Sequence, residues 1–150
     1  MKKLLFSKLY PSPAFSAFLL GMRLIFGILF FCHGLEKLSN YPELMYVFPD
    51  PLGIGSEISY ILVVFAEIVC SLAFIIGILF RLTLIPMIIA MSVAFFEIHD
   101  SSIAQGELAF IYLAVFAMLA ITGPGIYAID RWITKYCPCC IEADNCPNEE

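Results

Sequence analysis

Four long apolar runs decide what this chain can fold into. They occupy residues 14–35, 58–80, 82–98 and 108–122. A spanning helix needs roughly 17–25 residues to cross about 30 Å of hydrocarbon. The first two runs meet that length directly. The last two meet it when residues 101–107 and 123–132 extend them as helix ends. Pro86 falls in the first turn or two of the third run, where a helix tolerates proline best. Charged residues make up 14% of the 150, against about 25% in a soluble domain, and they fall between the runs. The expected fold is all-α: a four-helix transmembrane bundle over residues 1–135, then a short soluble Cys-rich C-terminal tail over residues 136–150.

The connections differ in character. Residues 36–57 are long and rich in turn formers, with Asn40-Tyr41-Pro42, Pro49-Asp50-Pro51 and Gly53-Ile54-Gly55. Arg81 alone is left between the second and third runs, which predicts a tight hairpin. Residues 100–106 join the third and fourth. Lys2, Lys3, Lys8, Arg81, Arg131 and Lys135 all fall on one side of an even-numbered bundle. The other side holds Lys37 among Glu36, Glu43, Asp50, Glu57, Asp100 and Glu107. Positive residues stay in the cytoplasm, so both termini are expected there, with the chain multi-pass in the cell (inner) membrane. Met1-Lys2-Lys3 imitates the start of a secretory signal. Pro11 and Pro13 interrupt it, however, and the apolar run exceeds the roughly 7–15 residues of a signal core. The net charge of −5 argues against nucleic acid as a partner.

Ionisable residues inside a span cost about 2.5–3.5 kcal/mol each and mark candidate sites. Arg23 lies near the middle of the first run and Glu67 near the middle of the second. In antiparallel helices this predicts a mutual ion pair, which either locks the two helices together or orients a ligand headgroup. A second group falls at the non-cytoplasmic helix ends. His33 and Lys37 are four apart and share a face. Glu97 and His99 close the third run and Glu107 opens the fourth. Two imidazoles and several carboxylates at one depth can hold a metal or relay protons to a bound quinone. The plain alternative is ordinary polar decoration at a membrane surface.

The cysteines divide. Cys32 and Cys70 lie in spans and read as small hydrophobes. Cys137, Cys139, Cys140 and Cys146 crowd the tail, where thiolates can bind zinc or copper, exchange disulfides, or carry a lipid. Met87, Met91 and Met118 read as packing, and Gly21, Gly27, Gly34 and Gly77 as points of close helix approach. No nucleotide-binding glycine loop, haem-attachment motif or iron–sulfur spacing is present.

Taken together, these elements resemble the DoxX family. Arg23, Gly27 and His33-Gly34-Leu35-Glu36-Lys37-Leu38 are similar to its first-helix signature. Glu67, Gly77 and Arg81 match its second segment. Glu97-Ile98-His99, Glu107 and Gly123-Pro124-Gly125-Ile126-Tyr127-Ala128-Ile129-Asp130 resemble its closing part. Ile126 and Ala128 replace the basic residue and serine usual there. The resemblance covers roughly residues 14–131 and leaves out the cysteine tail. It implies a four-helix membrane protein with Arg23, His33, Lys37, Glu67, Glu97, His99 and Glu107 as the polar lining of the bundle. Some family members are named as subunits of thiosulfate:quinone oxidoreductases, and others are linked to membrane oxidoreductase complexes handling oxidative stress or thiols. The expectation is therefore a small membrane subunit of a quinone-linked or thiol/sulfur-linked oxidoreductase system. It would bind a lipophilic ligand such as a quinone, contact membrane lipid and associate with other membrane or redox subunits. The alternatives are a non-catalytic assembly or scaffold subunit, and a small-molecule or metal transporter.

Overall fold

A computed structural model describes residues 12–98 and 101–130. Five helices are found among them. They are α1 (Pro13–Ser39), a single turn α2 (Tyr41–Leu44), α3 (Ser56–Ile76), α4 (Phe80–Ile98) and α5 (Ile103–Thr122). No strand occurs among the described residues. All but α2 are long and apolar enough to cross a membrane, as the four runs predicted.

Local chemistry sets the helix ends. Ser12 caps α1 by accepting a hydrogen bond from the Phe15 N–H at 3.3 Å, and Pro13 occupies the first helical position. The buried positions of α1 are Ser16, Leu19, Arg23, Gly27, Phe30 and Gly34, spaced three and four apart. That stripe faces the bundle. The outward faces of all four spans carry large apolar side chains, such as Ile25, Leu29, Leu82, Ile89, Leu108 and Ile121. The interior is aromatic: Phe30, Tyr112 and Phe116 pack edge-to-face or tilted with ring centroids 5.2–5.6 Å apart, and Phe74 bridges Phe116 and Phe80.

Two connections depart from expectation. The α3–α4 hairpin turns at Gly77-Ile78-Leu79, not at Arg81, which lies inside α4. Gly77 (φ +79°) ends α3 in the left-handed region, and Leu79 (φ +48°) also adopts it. Residues 123–130 do not lengthen α5. Gly123 (φ +85°) stops it, and the chain returns beneath the bundle so that Ala128 is fully buried.

Two π-turns interrupt the spans, Ala66–Cys70 in α3 and Ala94–Ile98 at the end of α4. Each inserts one extra residue into a turn and re-aims the side chains beside it. Glu67 lies in the first and Glu97 in the second.

Candidate functional site

Arg23 and Glu67, expected to pair, lie in separate polar centres. Gly27 on α1 approaches Phe74 and Ile75 on α3, and Gly34 approaches Glu67 and Ile68. The two helices therefore run past one another residue for residue. This register sets Arg23 level with Gly77, which its guanidinium touches. Glu67 is ten residues back along the chain in α3, about 15 Å away at 1.5 Å per residue. Both residues sit mid-run in sequence, but α1 continues to Ser39 and shifts its centre away from Arg23.

Arg23 is fully buried, and its charge is met by carbonyls. Nε donates to Phe74 O at 3.2 Å, Nη2 to Ile75 O at 2.7 Å and Nη1 to Pro124 O at 3.0 Å. Its guanidinium carbon lies 5.4 Å from the Phe80 ring centroid. The carbonyls at the end of α3 carry the negative end of that helix's dipole and suit a cation. Asp130, within electrostatic range of Arg23, closes the centre. Its carboxylate accepts from the Leu79 and Phe80 N–H groups, both at 2.8 Å, and its own N–H donates to Gly77 O at 3.0 Å. One arginine and one aspartate thus tie the hairpin turn and the Gly-Pro-Gly segment to α1. This fork-shaped set of partners holds the guanidinium at this end of the bundle, away from Glu67.

The second centre is at the opposite end of the bundle. Glu67 is 1% exposed, and its Oε1 forms an ion pair with Lys37 Nζ at the last turn of α1. Its other oxygen, Oε2, is buried with no hydrogen-bond partner among the described residues. Leaving such a group unsatisfied costs about 1–3 kcal/mol, more when it is charged. His33, Tyr60 and Tyr112 lie within electrostatic range of the carboxylate. Tyr60 donates to the Lys37 carbonyl, so its proton is committed. The His33 ring meets the Tyr112 ring edge-on at 6.1 Å between centroids. Ser71 Oγ donates to the Glu67 and Ile68 carbonyls within the π-turn.

Of the residues expected to share a polar lining, the structure thus brings together His33, Lys37 and Glu67. Glu97 and Glu107 are exposed, and no hydrogen bond or ion pair joins them to that centre. His99 lies outside the described residues, as do Cys137, Cys139, Cys140 and Cys146. No cluster of three or more His, Cys, Asp or Glu side chains able to hold a metal occurs among the described residues. Gly27 and Gly34 do permit close helix approach, whereas Gly21 meets nothing within 4 Å. Tyr112 and Tyr60 do not stand out in the sequence. A phenol inside the otherwise uncharged fourth run is the one available signal for Tyr112, since a buried hydroxyl normally seeks a partner.

The Glu67 carboxylate, the Lys37 ammonium, the His33 imidazole and the Tyr112 ring thus lie together at this end of the bundle, beside the aromatic interior.

Comparison with known proteins bears out the family resemblance. Residues 18–100 match the DoxX family model. A protein of Bacillus subtilis (strain 168), described as "Putative oxidoreductase CatD", is 30% identical over 120 residues, covering 76% of this chain and 85% of its own. No solved structure matches.

Proposed function

The chain belongs to the DoxX family of multi-pass membrane proteins, and from that premise we propose that it is the small membrane subunit of a quinone-linked or thiol/sulfur-linked oxidoreductase system. The observation that carries this reading is Glu67: a carboxylate buried within a spanning helix, paired on one oxygen and open on the other. Ionisable groups kept at such a depth are expensive and commonly mark ligand or proton sites. The similarity to a B. subtilis protein described as an oxidoreductase supports the same class of activity.

The residues present fit a quinone-type headgroup. Glu67 and Lys37 would hold its oxygen substituents, and the Tyr112 and His33 rings would face its plane. When bound, a quinone supplies two-electron, two-proton redox chemistry. The part of this chain is to bind, to orient, and to hold or pass protons. Lys37, with 29% of its side chain exposed, connects the buried carboxylate to the surface. His33, half-buried beside it, carries an imidazole, a group able to both donate and accept a proton. The distribution of lysine and arginine supports a topology with both termini in the cytoplasm, in which this centre would lie in the outer half of the cell membrane. The tail cysteines, Cys137, Cys139, Cys140 and Cys146, would then be a cytoplasmic thiol or metal site, apart from the ligand centre.

A second reading has its own support. Glu67 packs directly against Gly34, so the Lys37–Glu67 pair also fastens α1 to α3. A non-catalytic assembly subunit would need no more than that. Purification in mild detergent, followed by solvent extraction and mass spectrometry, separates the two. The oxidoreductase reading expects a retained isoprenoid quinone, present in smaller amount per folded protein in His33→Ala and Glu67→Gln. Stable partner proteins with no extractable ligand would favour assembly instead. Reporter fusions within residues 40–55 and at Arg81 should report opposite sides of the membrane.

A further inference from the structure

The open oxygen of Glu67 limits what the site can accept. Of the donors nearby, the Lys37 ammonium is paired with Oε1 and the Tyr60 hydroxyl bonds the Lys37 carbonyl, and none is bonded to the second oxygen. Oε2 is buried and has no partner among the described residues. An ionised carboxylate accepts hydrogen bonds and donates none. A ligand that completes this centre must therefore bring a proton of its own.

We propose that the Glu67 centre selects hydrogen-bond-donating headgroups, so that it binds the hydroquinone (or a phenol) in preference to the oxidised quinone. The inference rests on the functional reading above and narrows its ligand to the reduced form. A quinone presents only carbonyl acceptors, which would face Oε2 as two lone-pair-bearing oxygens. A hydroquinone presents an O–H, and a bond from it to a carboxylate is charge-assisted and strong in a dry site. The Lys37 ammonium keeps further N–H groups beside its bond to Oε1, and these can meet a quinone carbonyl or a hydroquinone oxygen alike, so they do not distinguish the two forms. The aromatic wall of Tyr112, with Phe26 and Phe30 packed on it, does not distinguish the two redox forms, which are both flat rings. Discrimination therefore falls on the carboxylate.

The test is anaerobic equilibrium binding to the full-length protein in detergent, with duroquinol, duroquinone and a short 4-alkylphenol as probes. Tighter binding of the quinol and the phenol over the quinone, by about tenfold or more, is the expected result for one charge-assisted hydrogen bond. Glu67→Gln, whose amide both donates and accepts, should bring the quinol-to-quinone ratio close to one. The double variant Lys37→Met/Glu67→Gln, which removes both charges together, should do the same and covers the case in which Glu67→Gln alone fails to fold. Equal binding of both redox forms to the wild type would overturn the inference and leave the quinone reading standing. Preference for the oxidised form would overturn it too, since Oε2 would then have to carry a proton and donate. No binding of any probe above partition into empty micelles would bring down the quinone reading, and the inference with it.

Discussion

Lys37, in the last turn of α1, pairs with Glu67, thirty residues further along the chain and fully inside the bundle. Removing one partner of a buried pair leaves the other charge without compensation, which costs about 3–5 kcal/mol when both are deeply buried. Lys37 is partly exposed, so Lys37→Met should cost less, about 2 kcal/mol, after solvent screening. Pairing it with Glu67→Gln should recover most of the loss. Thermal unfolding in detergent checks this, and strict additivity of the two changes would show that they do not act as a pair.

Arg23 should behave differently. Its three donors match three carbonyls in a fixed fork, which a lysine ammonium cannot reproduce. Both Arg23→Ala and Arg23→Lys should lower membrane abundance sharply. Because Arg23 and Glu67 lie about 15 Å apart, their changes should add within about 0.5 kcal/mol. A coupling of more than about 1 kcal/mol in a double-mutant cycle would contradict the separation of the two centres.

The glycines offer a matched comparison. A Cβ at Gly34 would lie 2.9 Å from Glu67 Cβ and 3.0 Å from its backbone carbonyl carbon. Backbone cannot step aside, so Gly34→Ala should push α1 from α3 and cost about 1–3 kcal/mol by overpacking. Gly21 faces open space, so Gly21→Ala should be neutral or stabilise by up to about 1 kcal/mol through helix propensity. Equal effects at the two positions would argue against the close approach at Gly34.

Asp50 organises the loop between α2 and α3. It accepts from Ser59 Oγ at 2.8 Å and from the backbone N–H groups of Ile54 and Gly55 at 3.1 and 2.6 Å. The Ser59 hydroxyl, aided by those N–H groups, holds its carboxyl below the usual range. A depressed carboxyl stabilises the folded loop above its ordinary pKa of about 3.9, and that contribution disappears as pH falls through the lower folded value. Pepsin cleavage within residues 45–55 should therefore rise steeply below about pH 4. In Asp50→Ala the loop should be cut readily already at higher pH, after correction for the protease's own pH profile. Parallel profiles for the two proteins would show that Asp50 does not hold the loop.

The four spans were legible in the sequence because the bilayer asks a one-dimensional question: how many consecutive apolar residues occur, and between which charges. Residue type also marked the expensive positions, Arg23, His33 and Glu67, since intramembrane polarity shows without knowledge of neighbours, and placed Lys37 at the outer end of the first helix. The partners did not follow. Arg23 and Glu67 are each central in their runs, and opposite charge made them the natural pair. The tertiary structure decided otherwise, because the approach of Gly27 and Gly34 to α3 sets a register that separates the two and brings Lys37 to Glu67. The hairpin turn was misplaced at Arg81 for a related reason. Apolar content runs on through Phe80, and the signal for the true turn is divided between Gly77 and Asp130, more than fifty residues away. Burial depth, the π-turn at Glu67 and the open Oε2 are likewise properties of packed helices. Hydrophobic periodicity specifies which face of a helix turns inward, but only the contact of one backbone with another fixes how far along that face its partner lies.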